Sequence, residues 1–342
     1  MNQRENRIAA ARFEKPDTIP LNFLVSPSCW NSYPRDALGE LMATHPLLCP
    51  GFEKAPEGEI EVGAGSKAGE RYVDPWGCVI ESAMDGIAGA VTEHPLADWS
   101  ALKTYTPPDP EDETDWSRVA RIFADAKAEG RFASASLPHG HTFLRLCDIR
   151  GYENTLMDMM DDDPRLLQVL GMIEDYNAEI VKRHLDFDCG WMGYPEDLGM
   201  QVGPMLSPAL FRKYIRPAYT RLMAPAREAG YVIHMHSNGD LHDLIDDILA
   251  AGVDVINLQD TVNGIDWIQK TLKGRVCIDL DIDRQHITVN GTPEDIDRHV
   301  RTAVGKLSDP QGGLMMIYGL YPGLPLSNLK ALMDAMERYA IL

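Results

Sequence analysis

Two histidines with the spacing of a β-strand lie in the segment 231–240, Tyr-Val-Ile-His-Met-His-Ser-Asn-Gly-Asp. Side chains alternate across a strand, so His234 and His236 point to the same side. Two imidazoles at i and i+2 on a strand end form a recurrent site for zinc or another divalent metal. The alternative is one packed histidine and one that hydrogen-bonds a neighbouring loop. The spacing makes His234 and His236 candidate metal ligands.

Two adjacent carboxylates, Glu196 and Asp197, follow the short apolar run Gly190–Tyr194. Either could serve as a metal ligand or a general base. Adjacent residues point in different directions, so we expect only one of them to face a pocket. The other would then cap the helix predicted after Ser207 or remain a solvated loop charge.

Three further carboxylates, Asp279, Asp281 and Asp283, alternate along one predicted strand and share a face. Their mutual repulsion costs stability unless a cation, Arg284 or backbone N–H groups compensate it. The alternative is that one of them faces the rim of the core and the others are solvated. This face is therefore a second candidate for polar chemistry.

Other residues add weaker signals. His139 and His141 form another same-side pair in a loop-like setting, and Trp76 could line an apolar pocket, although a buried tryptophan is more often simply core. No Ser-His-Asp arrangement or GxSxG motif stands out. The candidates are Glu196, Asp197 and Tyr318 for catalysis; Trp76, His139, Asn238, Gln259 and Asp279 for substrate binding; and His236, Glu196 and His234 for metal binding.

The second part of the chain alternates short apolar runs with helical patterns, which indicates βα units and a parallel sheet. Several runs end in polar residues, as expected where a (β/α)8 barrel builds its site on the carboxyl ends of its strands. No GxGxxG or GxxxxGK[ST] motif of a nucleotide-binding sheet occurs. We therefore predict an α/β protein with a single TIM barrel. The predicted strands are Phe132–Leu137, Gly190–Tyr194, Tyr231–His236, Val253–Leu258, Val276–Asp281 and Leu314–Tyr318.

The chain is predicted to form one domain over residues 1–342. Residues 1–130, rich in proline, glycine and short irregular pieces, are expected to hold an irregular extension and the first barrel units, and residues 131–342 the regular βα units. The acidic stretch Asp109–Asp115 is expected to be a solvated linker or loop. Helices are predicted at Val119–Gly130, across 151–185 with a break at Asp163-Pro164, and at Leu241–Ala251, Ile265–Lys273, Pro293–Leu307 and Leu326–Tyr339.

Composition excludes some partners. The formal net charge of −20 argues against nucleic acid or an anionic membrane surface, because both are polyanions. No apolar run approaches the length of a membrane span, and the charged N-terminus lacks the apolar segment of a signal peptide. The six scattered cysteines read as reduced, buried thiols. We expect a cytoplasmic protein that acts on a small molecule, and a homodimer remains open.

Segments spread nearly end to end along the chain carry a family resemblance. One is the stretch from Asp74 to Asp109, with Asp-Pro-Trp-Gly-Cys and His-Pro-Leu-Ala-Asp-Trp. The others are Arg4–Arg12, Lys15–Pro20, Leu146–Glu153, Glu196–Gln201, Gly203–Pro208, His236–Asn257, Asn290–Glu294 and Gly312-Gly313. Together these segments resemble the uroporphyrinogen decarboxylase superfamily, and the first is similar to a subgroup usually grouped with corrinoid methyltransferases.

The resemblance implies a (β/α)8 barrel and one of two activities. The first is metal-free decarboxylation of porphyrinogen acetates, for which the family uses an Arg-rich N-terminal motif that binds carboxylates. The equivalent segment here, Phe23–Tyr33, contains no arginine or lysine, which argues against a substrate with many carboxylates. The second is zinc-dependent methyl transfer involving a corrinoid carried on a separate protein.

The methyltransferase branch holds zinc with a His-x-Cys pair and a later cysteine. His236 matches the histidine, but Asn238 stands at the first cysteine and the region of Gly319 to Tyr321 supplies no second one. Any metal would need His236 with oxygen or nitrogen ligands such as Glu196, His234 or an aspartate of the 279–283 segment. No corrinoid-binding Asp-x-His-x-x-Gly motif is present, so the corrinoid is expected on another protein.

The leading hypothesis is therefore a metal-assisted methyltransferase that moves a methyl group from a small methoxylated or methylated substrate to a corrinoid protein. Glu196 would be a ligand or proton donor, and Trp76 would shape the pocket. The alternatives are a metal-free lyase acting on a smaller acid, a metal hydrolase of the His-x-His barrel type, and a binding protein for a corrinoid or tetrapyrrole.

Overall fold

Seven parallel strands form the central sheet of the computed structural model, which describes residues 1–341. The strands of the chain are β1 Leu21–Val25, β2 Arg71–Val73, β3 Val79–Glu81, β4 Ala90–Glu93, β5 Ala135–Ser136, β6 Trp191–Gly193, β7 Val232–Ser237, β8 Val255–Gln259, β9 Cys277–Asp281 and β10 Leu314–Leu320. The order in the central sheet is β1-β10-β9-β8-β7-β6-β5, and every neighbouring pair is parallel. A separate antiparallel sheet contains β2, β3 and β4.

Helices connect the strands, as the alternating pattern predicted. The predicted helix at Pro293–Leu307 has the observed bounds, and the break at Asp163-Pro164 is confirmed by the start of a helix at Pro164. The helices are α1 Gln3–Arg12, α2 Cys29–Ser32, α3 Arg35–Thr44, α4 Pro110–Glu113, α5 Trp116–Ala128, α6 Phe143–Arg150, α7 Tyr152–Met160, α8 Pro164–Leu185, α9 Pro208–Leu210, α10 Arg216–Glu228, α11 Ile245–Ala251, α12 Asp260–Asn263, α13 Ile265–Leu272, α14 Ile287–Asn290, α15 Pro293–Leu307 and α16 Leu326–Ala340, with a 3-10 turn at Trp99–Lys103 and a π turn at Phe211–Ile215.

The sheet is curled into a half-barrel. Arg7 of α1 lies between its two edges: the guanidinium donates to the carbonyl of Leu21 in β1 (2.8 Å) and lies 4.6 Å from the ring centroid of Phe132, shortly before β5. Within residues 1–341 the edge strands β1 and β5 are not hydrogen-bonded to each other, because the two-residue β5 pairs with β6 alone. The α/β class and the parallel sheet are confirmed, whereas closure into eight strands is not observed.

Helix α1 covers the amino end of the curled sheet. Its alanines Ala10 and Ala11 pack against the first inward-facing side chains of β6 to β10, which form an apolar layer. Because side chains alternate along a strand, the next inward positions follow at every second residue, and on β7, β8 and β9 they are polar. The apolar layer is Trp191, Val232, Val255, Cys277 and Met315, and the polar positions toward the carboxyl ends are His234, His236, Asn257, Gln259, Asp279 and Asp281.

The N-terminal part is more regular than predicted. It supplies β1, whose Phe23 lies opposite Tyr318 of β10, and the antiparallel sheet over Arg71–Glu93. The acidic stretch expected to be a loop contains helix α4. The prediction was wrong there because the aspartates cap helices: Asp109 accepts from the backbone of Glu111 and Asp115 from that of Arg118, each at 2.9 Å.

Two further features concern the helices and the cysteines. Across residues 1–341, every helix is too short or too polar to cross a bilayer. All six cysteines are buried and unpaired, as the sequence predicted.

Candidate functional site

Three side chains from successive strand ends converge at the carboxyl edge of the sheet. His139 follows β5, Asp197 follows β6 and His236 lies near the end of β7. The Oδ1 of Asp197 lies 3.4 Å from Nε2 of His139 and 3.5 Å from Nε2 of His236. One ligand atom from each residue falls within 4.8 Å of the other two, a spacing that could hold a metal ion. We call this group the His-Asp-His cluster.

A residue of the neighbouring strand, Asn257, orients the imidazole of His236. Its Nδ1 is hydrogen-bonded to the amide oxygen of Asn257 on β8, and Asn257 in turn donates to the carbonyl of Asp279 (2.6 Å). Because the amide Nδ2 of Asn257 is engaged as a donor, its Oδ1 is the acceptor, and Nδ1 of His236 carries a proton. The Nε2 of His236 is thereby left to face Asp197, the tautomer that metal-bound histidines need.

Asp197 is fixed by the backbone and side chain of Asn238, which donate to Oδ1 (2.9 Å) and Oδ2 (3.3 Å). Burial alone would raise the pKa of Asp197, but hydrogen bonds from His139 and His236 hold the pKa well below its usual range. Burial alone would likewise lower the pKa of His236, but the carboxylate of Asp197 raises it. The cluster thus keeps a carboxylate charged in a largely enclosed position, which is the form that binds metal.

Glu196, the other carboxylate of the pair, faces away from the cluster. Its side chain is fully buried and accepts from the backbone N–H groups of Thr142 (2.8 Å) and Leu144 (2.9 Å) and from the hydroxyl of Tyr219. Burial raises the pKa of Glu196 to about 7 despite these hydrogen bonds. Glu196 therefore caps the start of helix α6, and only Asp197 belongs to the cluster, in line with the expectation that the pair would divide.

His234 also lies apart from the cluster. It occupies the inward position one layer deeper than His236, where its Nε2 lies 2.9 Å from Oδ2 of Asp279. The ring of Trp191 packs beside it at 5.6 Å between centroids. The Oδ1 of Asp279 is buried and has no hydrogen-bond partner within residues 1–341. The structure thus pairs the partly buried His234 with the buried Asp279 beneath the site.

Two other candidates belong to the core. Tyr318 points to the opposite face of β10, stacks on Phe23 and donates to Thr288 (3.2 Å); burial raises its pKa to about 12. Trp76 packs edge-on against Tyr176, with ring centroids 4.9 Å apart. The structure brings neither side chain into the cluster.

A cleft of about 640 Å³ opens beside the cluster at the carboxyl edge of the sheet. Its floor includes Gly199 and Gly239, which pack backbone against backbone: a Cβ on Gly239 would lie 2.1 Å from the carbonyl carbon of Gly199. The candidates Asn238 and Gln259 both line it, and the Oε1 of Gln259 accepts from the backbone of Gly239 (2.9 Å). The remaining lining residues are Ile87, Ala88, Met200, Gln201, Arg284, Gln285 and Tyr321.

Arg284 and Asp281 form an ion pair in the same region, with Nη2 of the arginine 2.7 Å from Oδ2 of the aspartate. Burial raises the pKa of Asp281 to about 6, although Arg284 opposes the shift. Asp283, the third carboxylate of the segment, instead accepts from the backbone of His286 (2.8 Å) and Ile287 and so caps α14. Asp281 therefore contributes to the site as the partner of Arg284, whereas Asp283 does not.

Sequence reasoning missed the role of Asn257 and the way the ligand set is assembled. The sequence predicts His139 for substrate binding and Asp197 for catalysis, whereas the structure places both beside His236. A signal for Asn257 was present: it is the polar residue inside the apolar strand Val255–Gln259 and shares a face with Gln259.

The donor set of the cluster fits a divalent metal. Two imidazole nitrogens and one carboxylate oxygen suit zinc, and the same combination with open positions is the ligand set of many non-haem iron sites. Asp197 is already ionised, as a metal ligand must be, and His236 would bind once its Nε2 gives up its proton, with Nδ1 still held by Asn257. The adjoining cleft would leave the exposed side of such an ion open to a substrate.

Comparison with solved structures supports the fold. A structure of a methyltransferase from Methanosarcina mazei aligns over 99% of both chains, with a TM-score of 0.66 and 15% sequence identity. An endo-β-1,4-mannanase domain from Bacillus sp. JAMB-750 (TM-score 0.46, 10% identity, 99% of this chain and 90% of that one) and a D-psicose 3-epimerase from Clostridium cellulolyticum H10 (TM-score 0.40, 10% identity, 68% and 86%) are more distant.

No curated protein sequence is significantly similar to the chain. The family model for uroporphyrinogen decarboxylase (URO-D), in contrast, matches residues 75–339, which include the cluster and the cleft. The M. mazei structure, at 15% identity, supports the fold alone. On the family match, which spans most of its length, the chain belongs to the uroporphyrinogen decarboxylase family.

Proposed function

We propose that the protein is a methyltransferase that moves a methyl group from a small methoxylated or methylated substrate to a corrinoid on a separate protein, assisted by a divalent metal. The observation that carries the proposal is the convergence of His139, Asp197 and His236 beside an open cleft in a member of this family. The curled sheet with its strand-end site is in this view a variant of the (β/α)8 barrel.

The ligand set replaces the one that the methyltransferase branch would use. Asn238 occupies the position of the first cysteine and, instead of binding metal, holds Asp197 through two hydrogen bonds. Asp197 supplies the missing anionic ligand from a neighbouring strand end, and His139 supplies the third donor. A metal bound there would act as a Lewis acid on the heteroatom that leaves the methyl group.

In the reaction, the bond between the methyl carbon and its heteroatom breaks, the methyl group passes to Co(I) of the corrinoid, and the departing heteroatom takes up one proton. The residues of the chain orient the metal ligands and the methyl donor. Asn257 fixes His236, Asn238 fixes Asp197, and the cleft beside them has amide groups from Asn238 and Gln259 to hold the donor.

Two measurements test the proposal. Anaerobic incubation of metal-loaded protein with cob(I)alamin and a panel of methyl ethers, methylamines and methyl thioethers should yield methylcobalamin with at least one donor. Metal content should fall in His139→Ala, Asp197→Asn and His236→Ala and stay at the wild-type level in His242→Ala. His242 is a suitable control because it pairs with Asp240 and packs on Trp267, outside the cluster. Absence of methylcobalamin with every donor would contradict the proposal.

A second candidate is a metal-free decarboxylase acting on a small acid. It is favoured by one observation, the Arg284–Asp281 pair, in which Arg284 lines the cleft and could bind a carboxylate while Asp281 could hold a proton. It predicts release of carbon dioxide that a chelator does not affect. Methyl transfer abolished by a chelator would exclude it.

A further inference from the structure

We infer that Arg284 anchors an anionic group of the substrate, so that the methyl donor is a short carboxylate. The inference rests on the proposed function for the identity of the methyl group, but the anion site itself stands on separate observations. The first two observations are the free N–H donors of Arg284 and the space that Gly319 leaves for the guanidinium. The other two are that no other charged side chain lines the cleft and that Arg284 lies close to the His-Asp-His cluster.

Arg284 has hydrogen-bonding capacity left over. Its Nη2 donates to Asp281 (2.7 Å) and lies 3.5 Å from Oδ1 of Asn238, and within residues 1–341 its Nε and Nη1 donate to no other group. A guanidinium has five N–H donors in a planar fork. Nη2 is engaged by Asp281 and Asn238, so three N–H donors remain on Nε and Nη1, and charge-assisted hydrogen bonds from them can bind the oxygens of a carboxylate.

A glycine makes room for this side chain. Gly319 lies near the end of β10, and a Cβ there would lie 3.2 Å from Nη1 of Arg284 and 3.6 Å from the ring of Tyr321. The guanidinium carbon lies 5.9 Å from the centroid of the same ring. Glycine inside a strand often marks a place where another group approaches the backbone closely. Here it lets the guanidinium lie over the strand end, where the carboxyl edge opens to the cleft.

Arg284 is the only charged side chain among the residues that line the cleft in the described chain. The others are apolar or uncharged, and the amides of Asn238 and Gln259 can add hydrogen bonds. The protein as a whole carries a formal charge of −20, so its overall field repels anions. A cation retained at this position in so acidic a chain is suited to local recognition of an anion.

A single residue, Asn238, contacts both Arg284 and the His-Asp-His cluster. Asn238 lies 3.5 Å from Nη2 of Arg284 through its side-chain oxygen, and its backbone nitrogen donates to Asp197 at 2.9 Å. A molecule held at Arg284 by a carboxylate would therefore reach the cluster with a heteroatom only a short chain away. Methoxyacetate, whose ether oxygen is one carbon from the carboxylate, has this form.

The test is a binding measurement by titration calorimetry at equal metal content. The probes are methoxyacetate and the uncharged methoxyacetamide, and the variants are Arg284→Gln and Arg275→Gln. Arg275 is a matched control because it pairs with Asp246 on the outer surface. We expect methoxyacetate to bind wild type and Arg275→Gln alike, to bind Arg284→Gln about 10- to 100-fold more weakly, as for the loss of a charge-assisted pair, and methoxyacetamide to bind all three weakly.

A second variant is needed because Arg284→Gln leaves Asp281 buried without its cation, which can destabilise the fold. Arg284→Gln combined with Asp281→Asn keeps an uncharged, hydrogen-bonding pair and should show the same loss of binding. Equal affinity of methoxyacetate for wild type and the double variant, equal affinity of the two probes for wild type, or no binding of methoxyacetate to wild type would overturn the inference. Binding that depends on Arg284 without methylcobalamin formation would support the anion site and count against the proposed methyl transfer.

Discussion

The Nδ1 of His236 is hydrogen-bonded to Oδ1 of Asn257, its partner in register on the adjacent strand β8. This contact determines which nitrogen of His236 faces Asp197. Asn257 is itself held by the carbonyl of Asp279 on β9, so three neighbouring strands set the direction of one imidazole. The relationship links sheet register directly to the capacity of the site to bind metal.

Asn257→Ala should therefore weaken metal binding without removing a ligand. We expect a loss of about 10- to 100-fold in affinity, the usual effect of removing a group that orients a metal-bound histidine. Competition with a chromophoric chelator would measure it, and His236→Ala should lose more. Asn154→Ala, an exposed asparagine on α7, serves as the control. Unchanged affinity in Asn257→Ala would show that His236 is not a ligand or is oriented by other means.

Loss of charge at Glu196 and at Asp197 should have different effects on the metal content of the protein. Glu196→Gln retains an oxygen for Thr142 and Leu144, so its metal content should match wild type, whereas Asp197→Asn should lose metal. Glu196→Ala should lower the free energy of unfolding by about 3 kcal/mol or more, because it leaves buried backbone donors without acceptors. Metal analysis and urea unfolding would measure these effects. Loss of metal in Glu196→Gln with a stable fold would restore Glu196 as a ligand.

Gly239→Ala should be far more harmful than an ordinary glycine substitution at positive φ. Gly239 has φ +83° and its missing Cβ would meet the backbone of Gly199, while Gly230 has φ +77° and open space around it. Both variants incur the left-handed cost of about 1–2 kcal/mol, but only Gly239→Ala must also displace the loop that carries Asp197. We expect the midpoint of urea unfolding to fall more in Gly239→Ala, together with metal affinity. Equal midpoints would mean that the loops separate freely.

Stability should fall in mildly acidic solution, in part through His184. This side chain of α8 is packed among Trp116, Phe123 and Phe187, and burial lowers its pKa from 6.5 to about 4. The unfolded chain binds the proton below pH 6.5 and the folded chain only near pH 4, so the contribution of His184 is complete above pH 6.5 and is lost as the pH falls toward 4.

His184→Phe tests this prediction, because it fills the same aromatic cluster without a titrating group. Urea unfolding between pH 7 and pH 4 should show a smaller pH dependence in the variant, by up to about 1.4 kcal/mol per pH unit, the value for one proton. Some dependence should remain, since burial lowers the pKa of His141 to about 3 in the same direction. An unchanged slope would mean that His184 is protonated alike in both states.

Much of the architecture could be predicted from local pattern. Apolar runs followed by helical periodicity located β7, β8 and β9 to within about two residues, the uncertainty usual for element ends. Strand β1 was missed because its residues Leu21–Val25 are short and flanked by prolines, and its pairing with β10 joins segments almost three hundred residues apart. No local signal encodes a partner at that distance.

For the candidate site, the sequence by itself determined which side chains share a strand face: His234 with His236, and Asn257 with Gln259, because side chains alternate with a period of two. Tertiary structure alone decided that His236 meets His139 and Asp197 while His234 pairs with Asp279. The loops that carry Asp197 and His139 have no regular period. They are positioned by long-range backbone hydrogen bonds, from Glu196 to the carbonyl of His236 and from Gly140 to that of Pro195, each 2.9 Å. Such contacts exist only once the strands have assembled.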